Sequence, residues 1–437
     1  MTKKIFKIVI VFLIISCSNL HLKYNMGMIT KTQPGLSLSN TIESIPKNET
    51  NIILMIGDGM GFEHLKLASW VEFGKNAEFP IEELRFKKNV TTHNMDNEIT
   101  DSAAAATAIA TGHKTQNGYL SMLPNSRSVK TILELSRAMG KATGLISKTE
   151  ITHATPAAFM THVSSRDDTV TIANQIVEDS GVDILMGGGF THFSTSQIEE
   201  MESKGYSVVR NKTKLQNINT GKIFGLFADD YLPYEIRRDY NITPSLAEMT
   251  EKAIEILSQS TEGFFLMVEG GMIDHAAHSS NKVRLALETI DFYHAFEVAL
   301  SFISNNENSL LILTADHETG GLNVINETLN DELPSINKTF EENEDLRIAR
   351  ATNITVSWST TGHTNRNVPI YASRLNSPNF ENLTTIDNTD IFRIMYDYLG
   401  LNGKKPIILG LIIGLSIGAA IITSVVLFFV IKKRNRS

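Results

Sequence analysis

The chain has 437 residues, a formal net charge of −8 and a pI near 5.9. That balance argues against a general nucleic-acid binder, which needs a positive field, and the length allows one large α/β domain or two or three smaller ones. The only cysteine is Cys17, so everything beyond it can form no disulfide, and any metal held there must use oxygen and nitrogen donors.

Met1 to Lys7 is basic and Ile8 to Ile15 is apolar, the pattern of a signal peptide. Residues 1–24 are therefore expected to be signal peptide and leader. Ser16-Cys17 also resembles a lipoprotein cleavage box, with Cys17 as the acylated residue, so simple cleavage and lipidation both stand. Residues 25–48 are polar and should form a loose segment before the first strand.

Three apolar runs then lead into acidic residues: Ile52 to Ile56 before Asp58, Phe264 to Val268 before Glu269 and Asp274, and Leu310 to Leu313 before Asp316-His317. Such runs read as buried parallel strands. Ligands in open α/β sheets bind beyond the carboxyl ends of strands, so three strand ends bring carboxylates and imidazole to one rim. Asp274 and His278 stand at i and i+4 on a helix, a metal-chelating spacing. Glu269, at the strand end, suits a harder cation such as Mg²⁺. His363, in Thr360-Thr-Gly-His-Thr364, offers a further imidazole from a glycine-containing loop.

Between these runs lies Thr100-Asp-Ser-Ala-Ala-Ala-Ala-Thr-Ala-Ile-Ala-Thr-Gly112, read as a helix beginning at Asp101-Ser102. Ser102 is either a simple N-cap or a nucleophile whose developing anion the helix terminus stabilises. His153 and Thr155, two apart, would share one side of an extended segment, and Arg166 offers a planar fork matched to two phosphate oxygens. The stretch from Phe193 to about Ser260 is poor in such residues and reads as an insertion or an outer part of the fold. Residues 326–350, rich in Asn, Asp and Glu, read as an exposed loop or lid. Sequons at Asn48, Asn89, Asn211, Asn241, Asn326, Asn337, Asn353 and Asn382 matter only in a suitable secretory pathway.

After a linker at 401–406, residues 407–431 carry no charge and are long enough for a transmembrane helix. The basic tail 432–437 should stay cytoplasmic by the positive-inside rule. Catalytic residues would then face outward, extracellular or periplasmic. Gly410, Gly414 and Gly418 place small residues on one helix face, where two backbones could meet.

Taken together, Ile56-Gly-Asp-Gly-Met-Gly61, Thr100-Asp-Ser-Ala-Ala104, Ala110 to Gly118, His153-Ala-Thr-Pro156, Val268 to Asp274, Thr314 to Gly320 and Gly362-His-Thr364 resemble the alkaline phosphatase family. The resemblance runs from about residue 50 to 400, so 49–400 is taken as the catalytic domain. It implies an α/β three-layer sandwich with a central, mostly parallel sheet flanked by helices. It also implies two Zn²⁺ and one Mg²⁺. Asp274, His278 and His363 would hold the first zinc; Asp58, Asp316 and His317 would hold the second. Asp58 would bridge to magnesium with Thr155 and Glu269, beside His153. Ser102 would become a phosphoserine and Arg166 would clamp the phosphate. His153 and His275 stand where some bacterial members carry Asp and Lys, as histidines do in animal members, whose large surface domain this chain is too short to include. The family further implies small phosphate monoesters as substrates and a homodimer, and the charge balance already argues against nucleic acid as a partner. The rival readings are a phosphodiesterase or sulfatase on the same sheet, or a non-catalytic membrane binding protein.

Overall fold

Strands made of Ile, Leu, Val, Met and Phe without alternating polar residues must be covered on both faces, and the chain meets that demand with two helix layers around one sheet. The structure is a computed structural model and describes residues 49–402 except 180, 328–339, 375–379 and 381. The expected signal peptide, polar leader, transmembrane helix, glycine seam and basic tail, and most of the 401–406 linker, lie outside the described residues. Among the described residues no helix is long and apolar enough to cross a membrane.

In chain order the strands are β1 (Asn51–Ile56), β2 (Phe86–Thr91), β3 (Ala142–Glu150), β4 (Ile184–Gly188), β5 (Tyr206–Val209), β6 (Lys222–Leu226), β7 (Phe264–Glu269), β8 (Ser309–Thr314), β9 (Glu318–Thr319), β10 (Asn323–Glu327), β11 (Ile354–Ser357), β12 (His363–Thr364), β13 (Val368–Ala372) and β14 (Thr385–Asp387). Ten of them form one sheet in the order β14-β2-β13-β8-β1-β7-β3-β4-β6-β5. Only β13 runs against the others. Two short antiparallel pairs, β10 with β11 and β12 with β9, sit apart from it.

Register is what builds the rim. Ile56 lies opposite Glu269 of β7 and Thr314 of β8, so three parallel strands end level with one another. The residues just past those ends, including Asp58, Asp274 and Asp316, are delivered to the same place.

Helices Phe62–Phe73, Leu246–Leu257, Met272–His278, Lys282–Ser304 and Glu344–Asn353 pack as one group, and Ser102–Thr111, Ile132–Ala138, Ala154–Met160 and Asn388–Tyr398 as another. With β7 and β8 buried along their whole length, the two groups make the outer layers of the sandwich.

Three sequence expectations change here. The stretch 193–260 is integral: it contributes the edge strand β5 and its neighbour β6 and the helix Leu246–Leu257, which packs against β3 and β7. Its amphipathic surface elements simply lack motif residues. The 326–350 segment is not all exposed loop, because Glu344–Asn353 is a docked helix. Arg347 Nε and Nη2 donate to Glu72 at 2.5 and 2.7 Å, and Arg350 donates to the carbonyls of Val71 and Glu72. Finally, His153 and Thr155 do not share an extended segment. His153 caps the helix Ala154–Met160, because Pro156 falls in its first turn, where a missing N–H costs nothing.

A buried charge network ties the sheet to the helical layer. Lys148 on β3 contacts Glu235 at 2.7 Å, Glu288 at 2.6 Å and Asp291 at 3.2 Å, with all four side chains at most 2% exposed. Arg238 joins through Glu235 at 3.0 Å.

Candidate active site

The helix Ser102–Thr111 begins immediately beside the rim. Its cap is Asp101, whose Oδ1 accepts from Ala104 N at 2.9 Å, so Ser102 is not the capping residue. Its hydroxyl is free for another role, and Oγ lies 3.3 Å from His317 Nε2. The alanine run explains the placement, since every residue of this helix is buried and larger side chains would hold it away from the sheet.

Around Ser102 the structure brings the expected residues into three groups: Asp274 with His278 and His363, Asp58 with Asp316 and His317, and Asp58 again with His153 and Glu269. Within each group the ligand atoms lie within 4.8 Å of one another. Thr155, buried in the helix that follows His153, lies beside Glu269.

Hydrogen bonds fix which atoms point inward. His278 Nδ1 donates to the Thr361 carbonyl at 2.5 Å and His363 Nδ1 to the Thr100 carbonyl at 2.9 Å. In the neutral form of each ring, Nε2 is then a bare lone pair, and the two Nε2 atoms face each other at 3.2 Å. His278 Nε2 is also 3.2 Å from Asp274 Oδ2. Lone pairs converge this way around a cation, and outer partners of this kind set the tautomer of metal-binding histidines. His317 follows the same rule: its Nδ1 lies 3.3 Å from Thr319 Oγ1, which donates to Asp274 Oδ1 at 2.5 Å. Asp316 is divided, with Oδ1 accepting from Gly59 N and His317 N at 3.0 and 2.8 Å while Oδ2 has no partner. Glu269 is divided likewise, Oε2 accepting from Ser147 and Thr149 and Oε1 having none.

Buried polar atoms are normally paired. Here Asp58 Oδ1 and Oδ2, Asp316 Oδ2, Glu269 Oε1, His153 Nδ1 and Thr155 Oγ1 are all buried without a hydrogen-bond partner. These are the atoms the expected metal sites require, and a mixed carboxylate, imidazole and hydroxyl set is chemically suited to Zn²⁺ and Mg²⁺. The residues fit the ions.

Electrostatics agree. Burial, then the neighbouring carboxylates of Asp316, Asp274 and Glu269, hold Asp58 well above the ordinary carboxyl range. Burial likewise pushes Asp316 up to about 8 and Glu269 to about 7. Asp274 goes the other way: burial opposes it, but the His278 hydrogen bond and the surrounding imidazoles hold it far below the usual range. Burial lowers His153 to about 3, helped by Arg166, and lowers His317 strongly, helped by His363. An excess of buried negative charge beside neutral imidazoles is a demand for cations.

Arg166 completes the rim. Nη1 donates to Asp101 Oδ2 at 3.2 Å and Nη2 contacts His153 Nε2 at 3.1 Å, so its fork is held beside the Ser102 helix terminus. Five contributing roles were not legible in the sequence. Asp101 serves both cap and Arg166; Thr319 links His317 to Asp274; Ser147 and Thr149 orient Glu269. Tyr231, from the motif-poor stretch, places its ring 4.4 Å from His275 and 6.3 Å from His153. Of these, only Asp101 and Thr319 lay inside recognisable motifs, Thr100 to Ala104 and Thr314 to Gly320.

At one point Gly59 is obligatory. Its φ is +69°, and a Cβ there would lie 2.8 Å from both Asp274 Oδ1 and Thr319 Oγ1, so a side chain would displace two site atoms.

The family model for alkaline phosphatase matches residues 49–338. Alkaline phosphatase 4 of Bacillus subtilis is 34% identical over 412 residues, covering 80% of this chain and 88% of that relative. Among solved structures, a cold-active alkaline phosphatase from Shewanella sp. aligns with TM-score 0.69 at 28% identity, over 80% of this chain and 99% of its own. A histidine-to-aspartate variant of the alkaline phosphatase from the Antarctic bacterium TAB5, solved with Mg bound in its M3 site, aligns with TM-score 0.67 at 28% identity over 80% and 99%. With the family model matching more than half of the sequence and a one-third-identical relative spanning most of it, the chain belongs to the alkaline phosphatase family of metal-dependent phosphomonoesterases.

Proposed function

We propose that the protein is a membrane-anchored, outward-facing phosphomonoesterase that works through a phosphoserine at Ser102, with a broad range of leaving groups. The observation that carries this reading is the ring of partnerless buried ligand atoms around the Ser102 hydroxyl. Asp274, His278 and His363 would hold one Zn²⁺, Asp58, Asp316 and His317 a second, and Asp58, Thr155 and Glu269 the Mg²⁺, beside His153. When bound, these cations neutralise charge on the attacking and leaving oxygens of an in-line displacement.

The chain's own residues do the rest. Ser102 Oγ forms the new P–O bond while the ester P–O bond breaks and the alcohol departs; water then cleaves the phosphoserine to release inorganic phosphate. Arg166 takes two phosphate oxygens with its fork, which Asp101 keeps aimed at the helix terminus. Thr319 and the Thr100 and Thr361 carbonyls hold three imidazoles in the tautomer that leaves Nε2 bare. Because these contacts address phosphate rather than the alcohol, positioning and charge carry the reaction and little selects the leaving group. Anchoring rests on the uncharged run 407–431 and its basic tail, and dimerisation on Gly410, Gly414 and Gly418.

The test is hydrolysis of p-nitrophenyl phosphate by the full chain in detergent with zinc and magnesium, beside Ser102→Ala. Chelator-sensitive monoester turnover that falls by roughly 10³-fold or more in the variant is expected. Turnover of bis-p-nitrophenyl phosphate alone would move the protein to the diesterase reading. Retained activity in Ser102→Ala would remove the phosphoserine. Protease digestion of sided membrane vesicles tests orientation: residues 49–400 should be cleaved only from the outer face.

A further inference from the structure

We infer that Glu150, His192 and Asp230 form a fourth divalent-cation site, sharing no residue with the three groups around Ser102. One carboxylate oxygen from each acid and a ring nitrogen of His192 lie within 4.8 Å of one another.

The fold builds this juxtaposition. Glu150 ends β3, His192 closes the turn Phe190–His192 after β4, and Asp230 follows β6. These three strands are consecutive neighbours in the sheet and parallel, so their carboxyl ends lie side by side, as the ends of β1, β7 and β8 do. The two loops are zipped together by backbone hydrogen bonds from Gly189 N to Asp230 O at 2.8 Å, Phe190 N to Ala228 O at 3.1 Å and Thr191 N to Asp229 O at 3.2 Å. That approach needs glycine, since a Cβ on Gly188 would fall 1.8 Å from the Asp230 carbonyl oxygen.

A second observation points to a ligand. Glu150 is 8% exposed, and among the described residues its carboxylate receives a hydrogen bond only from its own backbone amide. Burial and then the Asp230 charge hold it above the ordinary carboxyl range. Among the described residues no ion pair joins His192 to either acid, and Asp230 Oδ1 accepts only the Thr191 hydroxyl, at 3.4 Å. His192 is already oriented: its Nδ1 lies 2.5 Å from the hydroxyl of buried Thr152, the kind of outer contact that fixes a metal-binding imidazole. An imidazole beside two carboxylates suits a zinc- or manganese-type ion better than calcium or magnesium, which prefer all-oxygen sets. His192 is half-buried and Asp230 exposed, which leaves the remaining coordination positions to water. A cation here would clamp the two loops together.

The decisive experiment is zinc content by mass spectrometry, after dialysing the detergent-solubilised full chain against buffered free zinc with magnesium present. His192→Ala and Asp230→Asn should each bind one zinc equivalent less than the wild type while keeping p-nitrophenyl phosphate turnover. Equal zinc content in all three overturns the site. Should a variant misfold, anomalous diffraction at the zinc edge from wild-type crystals decides alone: a peak between Glu150, His192 and Asp230 supports the site, and peaks confined to the Ser102 groups refute it.

Discussion

The guanidinium of Arg166 and the hydroxyl of Thr319 do different work, and their substitutions should separate. Arg166 has both ends of its fork engaged, by Asp101 and by His153. Arg166→Ala should lower kcat/KM for p-nitrophenyl phosphate by roughly 10²–10³-fold, as loss of a charge-stabilising donor does. Arg166→Lys should recover only part, because a lysine cannot bind two oxygens in one plane. Thr319 touches no substrate position in this reading, yet it joins His317 Nδ1 to Asp274 Oδ1. Thr319→Val should therefore weaken zinc affinity by about 10–100-fold while leaving turnover of the saturated enzyme near that of the wild type. Equilibrium dialysis separates the two: unchanged zinc affinity in Thr319→Val would make its contact incidental.

Among the elements, β3 carries two unrelated tasks. Its Lys148 is buried against three acids, and its end supplies Glu150. Removing one partner of a buried charge cluster leaves the others uncompensated, so Lys148→Met should cost about 3–5 kcal/mol in chemical unfolding. A loss below 1 kcal/mol would mean that the acids can protonate at little cost; burial already holds Glu288 up at about 7. None of this was legible in the sequence, where Lys148 stood in an ordinary strand and its nearest partner along the chain lay 87 residues away. What could be read was local: apolar runs that had to be strands, the acids just beyond them, and the i, i+4 pair of Asp274 and His278. Asp101 was assigned to the helix start beside Ser102, but only geometry shows that it takes the cap and frees the hydroxyl. The Glu150 group escaped notice because its members follow three different strands, and nothing short of the order β3-β4-β6 puts them together.

For the molecule as a whole, pH and metal content should be linked through stability. Glu269 and Asp316 titrate near ordinary carboxyl values in an unfolded chain, but near 7 and 8 in the fold without cations. Folded pKa values raised in this way give stability at low pH that is lost as pH rises through them. His278, held above its usual range chiefly by its hydrogen bond to Asp274, adds to the same trend. The lowered histidines His64, His153 and His317 act oppositely, but only below about 6.5, where an unfolded chain gains their protons. Between about pH 6.5 and 8 the Tm of chelator-treated protein should therefore fall, and that of metal-loaded protein should fall less. A chelated Tm that rises across this window would mean that those carboxyls are ionised in the fold. The same site also bears on how fast the chain folds and unfolds. Gly59 meets Asp316 across 257 residues and His363 meets Thr100 across 263, so the ligand groups close some of the longest loops in the protein. Contacts of such separation form late on a folding path, after shorter loops are closed, and interactions missing from the transition state slow unfolding without hastening folding. Zinc should then leave the refolding limb of a denaturant chevron where it is and lower the unfolding limb, acting as a latch on the finished molecule.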